Sequence, residues 1–297
     1  MVITQEFGYV RPQTLDEVLA VLADTADVVV LNGGTDLIVK IKDGGGHPTL
    51  VVDIKGLTDL HKLELGSDGS LHIGALVTFS ELISSDVVRE HFPVLWEAAT
   101  TVASVGVRNR ATLVGNICSA VPSLDSGPAL LVYEAVVHVT GRKGSRTVPI
   151  NEWFTGPKRT ALDHGELVTH VTLPPASPSD LSCGGCYVKL GRYRGEDLAQ
   201  SGVAVLAYPN KRYRVAFCAV GPVAKRSPKL EEFLTGKEPT KEVLEEAKKL
   251  VLGEISPISD VRASKEYRQH ATQVMLGRAV LAAHVRLEYK DVGAIWV

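Results

Sequence analysis

Val28-Val29-Val30-Leu31-Asn32-Gly33-Gly34-Thr35-Asp36-Leu37 is an apolar run that stops on Asn-Gly-Gly and restarts as Asp-Leu-Ile-Val-Lys. Four apolar residues ahead of two glycines read as a buried strand feeding a tight loop. Gly33 and Gly34 carry no Cβ, so the loop can take positive φ and let a ligand approach the backbone. Thr35 or Asp36 can cap a short following helix, whose free N–H groups and positive dipole end attract an anion such as a phosphate. On this stretch alone a plain turn is the simpler account; a second loop downstream changes that balance.

The second loop runs Ala103-Ser-Val-Gly-Val-Arg-Asn-Arg-Ala-Thr112-Leu-Val-Gly115-Asn116-Ile-Cys118-Ser119, followed by Pro122 and Asp125. Thr112, Asn116 and Ser119 set short hydrogen-bonding side chains around Gly115, and Asp125 adds a carboxylate. Such a set suits a dinucleotide, with amide and hydroxyl donors for a pyrophosphate and a carboxylate for sugar hydroxyls. A surface loop tied by its own side-chain to backbone bonds is the alternative. The whole segment from Ser104 to Gly127 is poor in regular pattern, and long irregular segments inside compact domains tend to carry function. Neither loop is a GxGxxG fingerprint or a Walker A, and Gly-x-Ser-x-Gly and HExxH are absent. No two carboxylates stand out as an acid/base pair, so no catalytic residue is assigned.

With 297 residues, 45% hydrophobic and 22% charged, the chain is long enough for two domains and lacks a disorder signature. Its net charge of −2 argues against a nucleic-acid partner. No apolar run approaches the ~20 residues of a membrane span. The start Met1-Val2-Ile3-Thr4-Gln5-Glu6 does not read as a signal peptide, so a cytoplasmic protein is expected. The four cysteines are too few for a disulfide framework. Cys183-Gly-Gly-Cys186 is a lone CxxC without partner ligands, where a zinc or cluster site needs about four; no metal site is assigned.

Capping boxes at Thr14–Glu17 and Thr78–Glu81 open two helices, and a helix from Pro93 runs to about Ala103. Val51–Ile54 reads as a strand. Hairpins are expected at 63–65/71–73 and at 136–140/147–150, and a strand at 167–173. Pro174-Pro-Ala-Ser-Pro-Ser179 is the one clear composition break. It divides domain 1–173, with subdomains of about 1–56 and 57–173, from domain 180–290. Beyond it, strands at 186–190, 201–208 and 213–220 precede helices at about 228–234, 240–252 and 262–285, an α+β order. The last helix sets Val274, Leu276, Val280 and Leu281 on an apolar face.

Here the chain resembles a known family. Asn32-Gly-Gly-Thr-Asp36 is similar to an AGGTD pattern, and Arg108-Asn-Arg-Ala-Thr-Leu-Val-Gly-Asn116 to an IRN-x-x-T-x-GGN pattern. Both belong to the FAD-binding medium subunit of the molybdenum hydroxylases. The resemblance continues through Val148-Pro-Ile-Asn151, Thr155-Gly-Pro157, Lys189-Leu-Gly-Arg192 with Asp197, and Arg262-Ala-Ser-Lys-Glu-Tyr-Arg268. The last of these is most similar to bacterial xanthine dehydrogenase FAD subunits. The carbon monoxide dehydrogenase flavoprotein usually shows Gly-Gly-His-Ser in the first loop.

The resemblance implies an α+β protein: a vanillyl-oxidase-like (PCMH-type) two-subdomain FAD fold, then a C-terminal domain of a three-stranded antiparallel sheet plus helices. It implies that Val29, Val30, Leu31, Asn32, Gly33, Gly34, Thr35 and Asp36 wrap the FAD pyrophosphate. Ala103, Thr112, Gly115, Asn116, Cys118 and Ser119 would line the other side, and Asp125 would hold an adenosine-end hydroxyl. Leu167 and Val168 would pack on the adenine. Lys189 would lie near the flavin, where a cation stabilises the reduced anionic ring; without the resemblance it reads equally as a surface lysine. Val114 stands where the family has a glycine, and a β-branched residue there disfavours positive φ.

The same resemblance makes the chain an electron-transfer subunit without substrate chemistry of its own. A large molybdopterin-binding subunit would oxidise a purine such as xanthine. A small subunit with [2Fe–2S] clusters would pass electrons to FAD here, and an acceptor such as NAD would take them. No cysteine pattern in this chain could hold those clusters. The alternatives are the flavin subunit of a carbon monoxide, nicotinate or aldehyde dehydrogenase, an FAD-loaded scaffold that never turns over, and a free-standing flavin oxidoreductase. The last would need an acid/base pair beside the flavin.

Overall fold

The capping box at Thr14 forms as its spacing requires, with the Thr14 hydroxyl accepting from Glu17 N–H and the Glu17 carboxylate accepting from Thr14 N–H. The computed structural model describes residues 3, 5–174, 183–193 and 196–288. In chain order β1 (Gly8–Val10), α1 (Leu15–Asp24), β2 (Val28–Leu31), α2 (Leu37–Lys42) and β3 (Leu50–Asp53) build a small α/β unit. Its sheet is parallel, in the order β1-β3-β2. That order puts β2 at an edge, and all four of its residues are half-buried rather than fully buried as the apolar run suggests. The run marks the strand correctly, but an edge strand has a neighbour on one side only.

The next unit begins with the hairpin β4 (Leu63–Leu65) and β5 (Leu71–Gly74), joined across Gly66–Gly69. Six helices follow: α3 (Phe79–Ser84), α4 (Asp86–His91), α5 (Pro93–Thr100), α6 (Val105–Arg108), α7 (Leu113–Ser119) and α8 (Ser126–Val132). The 104–127 segment is therefore a string of short helices, not irregular chain. Four- and seven-residue helices are too short to show periodicity, and they are started by side chains. The hydroxyl of Ser104 accepts from Val107 N–H and that of Thr112 from Gly115 N–H.

The strands β6 (Val136–Gly141) and β7 (Gly144–Pro149) form the second expected hairpin. The short helix α9 (Ile150–Trp153) and the ribbon of β8 (Phe154–Gly156) with β9 (Arg159–Thr160) lead to β10 (Leu167–Leu173). β10 enters the centre of a five-stranded antiparallel sheet ordered β4-β5-β10-β6-β7.

Of the expected boundary at 174–179, residues 175–179 lie outside the described residues. The C-terminal sheet holds β11 (Gly184–Leu190), β12 (Ser201–Ala207), β13 (Tyr213–Cys218) and the two-residue β14 (Lys225–Arg226), all antiparallel. It thus has four strands where three were expected, the last too short to leave a pattern. The helices α10 (Pro228–Leu234), α11 (Lys241–Leu250) and α12 (Lys265–Glu288) follow it. On α12, Leu276 and Val280 of the apolar face are buried in the core, whereas Leu281 is exposed.

Strand alternation explains how this sheet joins the molecule together. Tyr187, Ala204, Leu206, Ala216 and Cys218 pack into the core of the N-terminal units, while Cys186, Val203, Val205, Val215 and Phe217 pack under the C-terminal helices. Both faces are covered, so all seven residues of β12 are buried. At Gly184 the helix comes so close that a Cβ would stand 1.9 Å from the Ala283 carbonyl oxygen.

Candidate functional site

The first loop leaves β2 at Asn32, whose side-chain amide donates to the Ala75 carbonyl at 2.6 Å. That bond fixes which way the amide points, because its oxygen could not face a carbonyl. Asn32 Oδ1 is then buried without a hydrogen-bond partner among the described residues, an acceptor waiting for a donor. Gly34 takes φ +79°, which only glycine holds without strain. The N–H groups of Gly33, Gly34 and Thr35 donate to no acceptor among the described residues. Three successive free amides beside an unfilled carbonyl-type acceptor suit an anion flanked by a hydroxyl. Asp36 holds the position before α2, yet neither it nor Thr35 makes the expected side-chain cap.

The second loop forms the opposite wall. A Cβ on Gly33 would lie 2.0 Å from the Arg110 carbonyl oxygen and 3.0 Å from Ala111 Cα, so the two loops touch backbone to backbone. From there the chain turns into α7, stitched to the preceding segment by Phe79 N–H to Ala111 O at 3.0 Å and Leu113 N–H to Val77 O at 3.3 Å. Gly115 has no room for a side chain, since a Cβ would meet the capping Thr112 hydroxyl at 2.9 Å. Val114 lies in the first turn of α7, buried in the core, so the positive φ that a β-branched residue resists is not needed. Asn116 Oδ1 accepts from the Ser126 hydroxyl at 2.6 Å, which ties α7 to α8. Cys118 and Ser119 end α7. Burial of its sulfur pushes the Cys118 thiol up to about 12, so at neutral pH it is a small apolar group and not a nucleophile.

Asp125 immediately precedes α8 but makes no cap bond. Its carboxylate turns instead to the C-terminal sheet. Oδ1 accepts from the Tyr187 hydroxyl at 2.7 Å and Oδ2 from Lys189 Nζ at 2.9 Å. Lys189 also donates to the Thr101 carbonyl at 2.8 Å, and both side chains of the pair are only 9% exposed. Burial pushes the Asp125 carboxyl up, and the Lys189 ammonium and the Tyr187 hydroxyl pull against it. Lys189 is therefore not a surface lysine. It stands beside an open cleft of about 470 Å³, lined also by Thr101, Ala103, Ser104, Arg108 and Tyr193. Arg108 braces that cleft by donating to the carbonyls of Val102 and Ala103, the latter at φ +39°.

A chain of contacts links these segments: Gly33 lies against Arg110, Asn116 is bonded to Ser126 next to Asp125, and Asp125 is paired with Lys189. Two details differ from what the resemblance implied. Asp125 and Lys189 touch, so they mark one point and not opposite ends of an extended dinucleotide. The side chains of Leu167 and Val168 are buried in the core, leaving backbone as what β10 can offer a ligand. β10 does reach the first loop: Ala75 N–H donates to Thr169 O at 2.9 Å, and Ala75 O holds Asn32. Tyr187, Thr101 and Ala75 were not singled out, because nothing in their local sequence marks them; each matters through a partner more than 40 residues away or through a backbone carbonyl, and Arg108 stood in the second-loop motif without a role of its own. No cluster of three or more His, Cys, Asp or Glu side chains suited to a metal occurs among the described residues. Nor is any helix there long and apolar enough to cross a membrane.

The chain is similar to known proteins over nearly its whole length. Residues 5–176 match the family described as the FAD binding domain in molybdopterin dehydrogenase, and residues 186–283 the carbon monoxide dehydrogenase flavoprotein C-terminal domain. The putative xanthine dehydrogenase FAD-binding subunit of Escherichia coli is 33% identical over 95% of this chain and 98% of its own length. The carbon monoxide dehydrogenase medium chain of Hydrogenophaga pseudoflava is 31% identical over 96% and 99%. A solved structure of carbon monoxide dehydrogenase from that organism superposes with a TM-score of 0.90 at 30% identity, covering 96% of this chain and 99% of the other.

Proposed function

This chain belongs to the family of FAD-binding subunits of molybdopterin dehydrogenases, with FAD as its cofactor, and on that premise we propose that it carries electrons within a multi-subunit oxidoreductase. Electrons enter from [2Fe–2S] clusters of a small partner subunit and leave to an acceptor such as NAD. A large molybdopterin subunit oxidises the substrate, for which a purine such as xanthine is our reading. Relatives are named for xanthine, caffeine, carbon monoxide and nicotine, so one flavin scaffold accompanies many substrates. The Arg262–Arg268 segment bears on this choice through sequence likeness alone. In the fold Arg268 is a buried brace, donating to the carbonyls of Gln200 and Ala219 and pairing with Asp260.

The observation that carries the reading is the contact between Gly33 and Arg110, beside the unfilled Asn32 Oδ1. Bound FAD supplies the redox chemistry, and the protein supplies position and charge. The free amides of Gly33, Gly34 and Thr35 would hold the diphosphate, with Val29–Leu31 and Asp36 framing them. Asn32 Oδ1 would accept from a hydroxyl of the cofactor. Ala103, Thr112, Gly115, Asn116, Cys118 and Ser119 would line the second side, and the backbone of Leu167–Val168 would border the first loop. We assign Asp125 and Lys189 to one end of the cofactor because they are in contact. The Lys189 charge is compensated by Asp125, so the pair orients more than it attracts. A vanillyl-oxidase-like arrangement, with domain 1–173 divided near residue 56 and domain 180–290 behind it, is supported by the separate parallel and antiparallel sheets.

Titrating the deflavinated full-length chain with FAD tests the cofactor site. Purification from the native host should bring down one molybdenum-containing and one iron–sulfur partner, and xanthine should then bleach the flavin absorbance. A preparation that runs alone and oxidises substrate unaided would refute the subunit reading. A complex whose flavin no substrate reduces would make the chain a scaffold.

A further inference from the structure

Two residues of β11, Tyr187 and Lys189, are separated by one position and so point to the same side of the sheet. That side meets the N-terminal units, and both residues converge on the two oxygens of Asp125. Lys189 is also held by the Thr101 carbonyl, so its place is doubly determined. Tyr187 is fixed with comparable care. Its backbone N–H donates to Glu97 Oε2 at 2.7 Å, and Glu97 Oε1 is paired with Arg286 at 2.8 Å. Its hydroxyl occupies space that exists only because residue 202 is glycine. A Cβ there would stand 2.7 Å from the Tyr187 hydroxyl and 2.5 Å from Cys218 Sγ. Tyr187 is thus fixed at both ends, its backbone by Glu97 and its oxygen in the gap opposite Gly202.

We propose that Tyr187 is a positioning residue for the cofactor site, its hydroxyl locking the Asp125 carboxylate across the junction of the N-terminal and C-terminal units so that Asp125 and Lys189 meet FAD as one fixed, charge-paired unit. This rests on the reading of Asp125 as an FAD contact. Asp125 has no support from its own helix, having no cap bond at the start of α8. Lys189 and Tyr187 on β11 and Cys218 on β13 are the titratable groups facing it. Cys218 is a buried thiol 3.7 Å from the Tyr187 hydroxyl and is itself pushed up by burial and by the Asp125 charge, so it cannot take over as a strong donor. Without the phenol, one carboxylate oxygen loses its partner while the carboxyl stays buried. The protonated form then gains weight and the group is freer to turn.

The test uses the full-length chain, stripped of FAD and titrated with FAD by flavin fluorescence from about pH 5.5 to about pH 8.5. A hydrogen bond to a charged group is worth about tenfold or more in an ionisation constant. In Tyr187→Phe, the acid limb of FAD affinity should therefore move up by about one pH unit, with Kd raised by up to about tenfold toward the acid end and less at the alkaline end. Gly202→Ala, which crowds the hydroxyl off Asp125 while leaving the phenol in place, should reproduce the shift. Tyr133→Phe, a buried tyrosine whose oxygen accepts from Val94 N–H, should leave the profile unmoved. If Tyr187→Phe and Gly202→Ala both superimpose on the unsubstituted protein while Asp125→Asn weakens binding, the role given to Tyr187 is wrong and the site stands. If Asp125→Asn also binds FAD unchanged, both fall.

Discussion

Gly33 and Arg110 are packed so closely that a single added carbon on the first would stand 2.0 Å from the carbonyl oxygen of the second. Two loops far apart in sequence therefore share one wall, and no side chain fits between them. Gly33→Ala must push them apart. Overpacking of this kind costs about 1–3 kcal/mol, and the displaced amides should lose FAD. Gly106 is the control, since a Cβ there meets nothing within 4 Å and its φ is ordinary. Thermal melts with and without FAD should show a lower melting temperature and little FAD-induced shift for Gly33→Ala, and neither change for Gly106→Ala.

Removing either half of the Asp125–Lys189 pair leaves a buried charge alone. Breaking such a pair costs about 3–5 kcal/mol, so Asp125→Ala and Lys189→Met should each lower the urea midpoint markedly. The double variant should lose clearly less than the sum of the two. Additive losses in this cycle would mean that the two groups do not depend on each other.

Thr112 starts α7 by capping Gly115 N–H at 3.0 Å. Thr112→Val keeps the shape and removes the acceptor. Loss of such a cap costs about 1 kcal/mol, and the freed amide lies within the proposed cofactor wall. We expect a modest fall in stability together with a larger proportional fall in FAD content, read from the ratio of flavin to protein absorbance. A normal flavin ratio in a folded Thr112→Val protein would take α7 out of the site.

Acid should weaken the fold through a ladder of imidazoles on the antiparallel sheet. His170 on β10 stacks between His138 on β6, at 3.9 Å, and His72 on β5, at 4.2 Å. Burial first, then repulsion from His138 and His72, pushes His170 down to about 4; burial also lowers His72 and His138. The unfolded chain takes up these protons near pH ~6.5. Between there and about pH 4 the unfolded state holds more protons than the native one, so stability is full above that window and falls as pH drops through it. His170→Gln should flatten the dependence of the urea midpoint between about pH 7.5 and about pH 5. An unchanged slope would clear the ladder of any part in it.

Much of the secondary structure was legible because it rests on local signals. The capping boxes at Thr14 and Thr78, the hairpin across Gly66–Gly69 and the strand–strand–strand–helix order after residue 183 all follow from short-range rules. The segment from Ser104 to Gly127 was not, because helices as short as α6 and α7 carry no periodicity of their own. β14 escaped for the same reason. Tyr187 read as one more apolar strand residue, since neither Glu97 nor Asp125 is near it in the chain.

By itself the sequence determined the two glycine loops and their chemistry: where φ must turn positive, where a backbone can come close, which hydroxyls and carboxylates stand nearby. Those are properties of single residues and their immediate neighbours, written in composition and spacing. Only the tertiary structure decided that Gly33 faces Arg110, that the apolar β2 lies at a sheet edge, and that Lys189 is spent on Asp125. Each of these depends on contacts between distant segments, and burial, not proximity in the chain, sets what a charge or a methyl group is worth there.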